Sequence, residues 1–209
     1  MASSVETVIR DNVTKGIMKV VAFNRTRPRL GSKANTFLSG IHEPVEAELT
    51  LEDLKITGEI PPALDGRYLR IGPNPVSPPN PATYHWFSGD GMIHGVCLKD
   101  GKALWYRNRW VRSKVVSAAL GEQDAPGPRH GTQDNANTNV IGHNGNTWAL
   151  VEAGTFPVRL NDALDTLAHD PFGGTLKGAF SAHPHLDPAT GEMHAITYYA
   201  CLLYTSPSP

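Results

Sequence analysis

The chain has 209 residues, 40% hydrophobic and 19% charged, enough apolar material for one or two globular domains, which excludes wholesale disorder. Nineteen lysines and arginines stand against 20 aspartates and glutamates, so no electrostatic footprint for nucleic acid or an anionic membrane surface is present, and the expected partner is a neutral small molecule. Cys97 and Cys201 are too far apart to form a metal spacing or a disulfide framework, which predicts a reducing, cytoplasmic setting.

Residues 5–23 place Val5, Val8, Ile9, Val13, Ile17, Val20 and Val21 at helical spacing with charged residues between them. This predicts an amphipathic helix that packs on the domain behind it or lies on a membrane as a peripheral contact. No apolar run is long enough to span a bilayer, and the N-terminus lacks the pattern of a signal peptide. The polar, turn-rich stretch NRTRPRLGSKANTFLSG that follows reads as an extended arm, so residues 1–41 are assigned to helix and arm.

From Gly66 onward short β-type runs alternate with turn residues. GMIHGVCLK and KALWYRNRWV flank Asp100-Gly101, and NTNVIGH and TWALVEAG flank Asn144-Gly145; both dipeptides tolerate the positive φ of a tight hairpin. AFSAHPHL and EMHAITYYA flank a third turn in DPATG. The three turns recur about every 45 residues, in the range of one four-stranded propeller blade, with a β-sandwich as the rival architecture. FSGDGMIHG lacks the glycine count and the Lys-Ser/Thr of a phosphate-binding loop and reads as a tight interstrand turn. Trp86, Phe87, Trp105, Tyr106 and Trp110 are expected in strands, as core more than as substrate contacts. The tail CLLYTSPSP breaks the rhythm, and residues 201–209 are expected to be a non-native tail.

His183 precedes Pro184, which holds the backbone extended and projects the imidazole from a strand end or loop. One imidazole cannot hold a catalytic metal, because such sites use three or more protein ligands. His185 stands two residues on, as in an H-x-H zinc site, but Pro184 disturbs that geometry and His185 reads as a packing or surface residue. His85, His94 and His143 carry no feature that separates ligands from strand residues.

The succession GRYLRIGPNP, YHWFSGDGMIHGV, YRNRWVRS, ANTNVIGH, ALVEAG and AHPHLDPATGEMH, in this order over residues 42–200, resembles the carotenoid cleavage oxygenase family. The resemblance implies an all-β fold, a partial seven-bladed β-propeller of about three blades preceded by the N-terminal helix. It implies a non-haem Fe(II) held by four histidines, of which His183 is the first and the others lie in blades outside this chain. It implies that Glu152 orients an iron-bound histidine from the second shell, a partner expected outside the chain. The substrates implied are an apolar polyene and dioxygen, and the reaction is cleavage of a conjugated double bond to two carbonyl products. Stilbene-cleaving members carry a tyrosine and a lysine where this chain has Trp110 and Val151; valine cannot pair with a phenolate, which points to a carotenoid or apocarotenoid. A retinoid isomerohydrolase shares the scaffold, and a catalytically inactive partial propeller is the competing reading of the isolated chain.

Overall fold

The computed structural model describes residues 35–131, 134–152 and 154–197. The helix expected over 5–23 and the tail at 201–209 lie outside the described residues. Contacts divide the described chain into two units, residues 35–44 with 78–86, and residues 45–77 with 87–197.

The small unit is built on two 3-10 turns, Thr36–Leu38 and Gly40–His42. Asn35 caps the first, its Oδ1 accepting from Phe37 N at 2.8 Å, while its Nδ2 donates to the carbonyls of Pro81 and Tyr84, each at 2.8 Å. The rings of Phe37 and His85 lie 4.9 Å apart and those of His42 and Trp86 4.3 Å apart.

The large unit holds two four-stranded antiparallel sheets and a two-stranded ribbon. The first sheet has the order β1-β4-β3-β2, with β1 at Thr50–Glu52, β2 at Gly66–Pro73, β3 at Gly91–Lys99 and β4 at Lys102–Trp110. The second is a meander, β5 at Asn139–His143, β6 at Asn146–Leu150, β7 at Val158–Leu160 and β8 at Thr166–His169, each strand paired with the next. The ribbon pairs β9 at His185–Leu186 with β10 at Met193–His194.

Both dipeptide hairpins form as the sequence requires. Asp100 and Gly101 take φ of 50° and 71°, and Asn144 and Gly145 take 47° and 70°, the left-handed pair that matches the twist of the flanking strands. The third turn closes the ribbon with Gly191 at φ 74°. The recurrence of about 45 residues does not mark equivalent places, however. The first hairpin is the centre of its sheet and the second is an edge pair.

Two expectations fail here. Trp86 and Phe87 are not strand residues; Trp86–Ser88 is a 3-10 turn, because the segment belongs to the long excursion from Pro73 to Gly91 rather than to a ladder. For the same reason FSGDGMIHG is not a tight interstrand turn. Phe87–Asp90 is the closing limb of that excursion, pinned where Asp90 O accepts from Asn74 N at 2.6 Å and Asp90 Oδ2 from Val76 N at 2.9 Å, and Gly91–Gly95 already belongs to β3. Trp105 and Tyr106 do lie in β4, and Trp110 ends it, 3% exposed.

Strand alternation decides where the core sits. Ile93 and Val111 at the first sheet meet Ala149, Val158 and Leu160 of the second, with Leu69, Ile71 and Trp105 packed around them. The other face of the second sheet presents Trp148 and Leu150 to Phe180 and Ala182. The second sheet is therefore covered on both faces, by the first sheet and by the segment leading into the ribbon. Met92, Trp110 and Val116 form a third cluster, on the side of the first sheet away from the second, since Met92 alternates with Ile93.

Buried asparagines stitch the irregular segments to the sheets. Asn108, fully buried, accepts from Leu49 N at 2.6 Å and donates to Ala47 O at 2.9 Å. Asn74 does the same for Val45, at 2.7 and 2.8 Å. Each side-chain amide thus stands in for a neighbouring strand by pairing with both an N–H and a C=O of the segment beside it. The short helix α1, Lys114–Leu120, is entered through Ser113, whose hydroxyl accepts from Val116 N at 3.2 Å, and left through Gly121 at φ 68°.

Candidate functional site

His183 lies in the loop between the second sheet's covering segment and β9, its side chain 69% exposed. Pro184 keeps it off the ribbon, as expected. His185 sits in β9 opposite His194 and is exposed, so no H-x-H pair forms on one strand. Among the described residues, no group of three or more His, Cys, Asp or Glu side chains is placed to hold a metal ion.

Glu152 follows β6 and comes back onto His183. The pairing of Asn139 with Leu150 puts these two on the face of the second sheet that carries Trp148 and Ala182. Glu152, two residues beyond Leu150, reaches the same side: its Oε1 accepts from Ala182 N at 3.2 Å and lies 3.3 Å from His183 Nε2. The family resemblance places the histidine that Glu152 orients outside this chain; within the chain, Oε1 lies 3.3 Å from His183 Nε2. Oε2 is buried with no hydrogen-bond partner among the described residues.

That arrangement fits a share of a metal centre. When Nε2–H donates to the carboxylate, the lone pair of the neutral ring is on Nδ1, and a carboxylate that accepts one ring N–H fixes the tautomer and strengthens the other nitrogen as a donor. The orphaned Oε2 can accept one further N–H. With a metal bound, His183 would offer one nitrogen donor with Glu152 beside it, and a complete site needs further donors.

The remaining histidines do other work. His94 Nδ1 and the Tyr106 hydroxyl share a hydrogen bond of 2.8 Å, and burial, with Arg70 nearby, pushes the His94 pKa down to about 4. His143 ends β5, and its carbonyl accepts from Trp148 Nε1 at 3.4 Å. His169, which sequence reasoning did not single out, is 1% exposed and donates Nε2–H to Arg112 O at 3.3 Å. Burial and the charge of Arg129 lower its pKa, so it is a neutral core residue.

Trp110 and Val151, the positions at which the sequence departs from stilbene-cleaving members, are both held in packing. Trp110 donates Nε1–H to Asn74 O at 2.9 Å. Val151 is partly buried against the core between the sheets. Sequence reasoning also passed over Asn139, whose Nδ2 donates to Ala182 O at 2.7 Å; its only local signal is an amide at the start of an otherwise apolar strand.

The model of the family described as retinal pigment epithelial membrane protein matches residues 42–207. A carotenoid cleavage oxygenase of Mycobacterium tuberculosis is 54% identical over 176 residues, covering 83% of this chain and 35% of the relative. A carotenoid 9,10(9',10')-cleavage dioxygenase of Arabidopsis thaliana is 34% identical over 193 residues, covering 78% of this chain and 36% of the relative. Among solved structures, lignostilbene dioxygenase of Pseudomonas brassicacearum superposes with a TM-score of 0.67 at 31% identity, over 80% of this chain and 38% of that one. The chain thus spans about a third of the length of the curated relatives it matches. With its mostly β fold, its ordered motifs and this matched span, the chain belongs to the retinal pigment epithelial membrane protein family, that of the carotenoid cleavage oxygenases.

Proposed function

We propose that this chain forms the first part, about three blades, of a seven-bladed propeller enzyme that uses non-haem Fe(II) and dioxygen to cleave a conjugated double bond of a carotenoid or apocarotenoid. His183 is then one of four histidine ligands. The observation that carries the reading is the meeting of His183 with Glu152, whose other carboxylate oxygen is buried with no partner among the described residues, in a chain whose relatives are cleavage oxygenases.

The iron, when bound, supplies the redox chemistry of oxygen activation, since this chain offers no side chain suited to break a C=C bond as acid, base or nucleophile. The chain's own residues bind and orient. Glu152 Oε1, 3.3 Å from His183 Nε2, orients the ring so that Nδ1 is the nitrogen left for a metal. Its Oε2 is suited to take the ring N–H of a second ligand histidine supplied from another blade. The apolar side chains beside Glu152, with Val151 in place of a lysine, offer nothing to pair with a phenolate, which favours a polyene over a hydroxystilbene.

A chain with one ligand should neither retain iron stoichiometrically nor bleach a carotenoid, whereas the same chain extended to the length of its relatives should do both. Metal analysis and oxygen-dependent loss of polyene absorbance read the two outcomes. In the extended form His183→Ala should abolish both; full iron occupancy in that variant would remove His183 from the site. Stoichiometric iron and activity in the 209-residue chain alone would show that it is no mere part of a site.

A further inference from the structure

We propose that Asn139 is a positioning residue for His183, acting through the backbone of Ala182. The proposal rests on the reading of His183 as a metal ligand and adds to it the device that fixes where this imidazole stands.

Ala182 is held from three directions at once. Its methyl group is fully buried with Trp148, Leu150 and Phe180. Its N–H donates to Glu152 Oε1 at 3.2 Å, and its C=O accepts from Asn139 Nδ2 at 2.7 Å. The two gripping side chains come from neighbouring strands of one hairpin, because Asn139 pairs with Leu150 and Glu152 lies two residues further on. The next residue is His183, 69% exposed in its side chain and outside any strand, whose backbone N–H donates to Ser181 Oγ at 3.2 Å.

An exposed loop imidazole loses conformational freedom on binding a metal, so a ligand whose Cα is already fixed binds with less of that cost. The clamp supplies this fixation. Glu152 alone holds only the amide side of Ala182, and the peptide that joins Ala182 to His183 would remain free to rotate about ψ of residue 182. Asn139 holds the carbonyl of that peptide. The amide side chain is itself locked, since Asn139 Oδ1 accepts from Val140 N at 2.8 Å, which orients Nδ2 toward Ala182. Aspartate in this position keeps the acceptor for Val140 and loses only the donor.

The test uses the 209-residue chain without metal, by NMR at pH 7. In the wild-type chain a scalar coupling should be detected across the hydrogen bond from Asn139 Nδ2 to the Ala182 carbonyl carbon. Its absence, with the second sheet otherwise folded, would overturn the proposal even if no variant can be made. In Asn139→Asp the His183 amide order parameter should fall from near the rigid value of about 0.85 toward about 0.6. Exchange of the Ala182 amide should accelerate about five- to tenfold, as for the loss of one buried hydrogen bond. The amides of Trp148, Leu150 and Ile93 should keep their protection, which separates positioning from a general loss of the second sheet. Glu152→Gln, which retains an acceptor for Ala182 N, should leave the His183 backbone ordered. An unchanged His183 order parameter in Asn139→Asp overturns the clamp and leaves the oxygenase reading intact. Failure of the longer protein to hold iron overturns that reading and leaves the clamp.

Discussion

Replacing Gly91 by alanine tests whether the two sheets are joined as closely as described. A Cβ at Gly91 would lie 1.9 Å from Ala136 O, 2.8 Å from Ala136 C and 3.2 Å from Asn137 Cα, all backbone atoms that cannot rotate away. Ordinary contact begins at 3.4 Å, so the start of β3 and the approach to β5 must part. The hydrogen bonds that seat Gly91 then suffer: its N–H donates to Asn135 Oδ1 at 2.8 Å and its carbonyl accepts from Val111 N at 2.7 Å. Losing two such bonds costs about 1 kcal/mol each, and overpacking adds about 1–3 kcal/mol, giving about 3–5 kcal/mol. With a urea slope of roughly 2 kcal/mol/M, the unfolding midpoint should fall by about 1.5–2.5 M. Gly142→Ala, in β5 with nothing within 4 Å of the added Cβ and no positive φ, is the matched control and should change stability by less than about 0.5 kcal/mol. A loss below about 1 kcal/mol for Gly91→Ala, or equal losses for both variants, would refute the close approach.

Acid should weaken the fold through its buried histidines. The folded pKa of His94 is lowered to about 4 and that of His169 is also lowered, so the stability these groups contribute is present above the ordinary histidine pKa of about 6.5 and is lost as pH falls from there toward 4. Discounted for its partial exposure, His94 should account for about 1–2 kcal/mol, and urea midpoints measured from pH 7.5 to 4.5 should flatten in His94→Gln. Leu160→Ala, at a site 3% exposed between the sheets, should cost about 2–5 kcal/mol, whereas Leu167→Ala at 42% exposure should cost well under about 1 kcal/mol by the same denaturation assay. Ser113→Ala leaves the fully buried Val116 without a partner for its N–H; a loss of about 1–2 kcal/mol, read as a lower Tm, is expected.

What could be read from sequence was what local chemistry dictates. Asp100-Gly101 and Asn144-Gly145 specify their hairpins because few other dipeptides accept two positive φ values, and Pro184 alone was enough to take His183 out of a strand. β1 escaped notice because Thr50, Leu51 and Glu52 are all exposed and show no alternation. α1 escaped because seven residues are too few to display a period, although Ser113 and Gly121 mark its two ends. Trp86 and Phe87 misled because aromatic residues favour strands on average, while here they sit in a loop excursion. The convergence of Glu152, Asn139 and Ala182 was out of reach, since it depends on which residue of β5 faces Leu150 and on where the segment at 180–184 lands. That Glu152 orients a metal-bound histidine is what the family resemblance implies; its 3.3 Å approach to His183 Nε2 comes from the fold.

The placement of β1 has a consequence for how the protein is made. Thr50 pairs with Arg107, so the strand that completes the first sheet leaves the ribosome well before its neighbour does. At synthesis rates of about 5–20 residues per second, the interval is roughly 3–12 s, long enough for β1 to sample other partners. The second sheet has no such delay, because each strand pairs with the one just made. A nascent chain should therefore hold β1 unpaired beside at most the β2–β3 pair until β4 emerges to join them, and this is the interval in which a chaperone has most to protect.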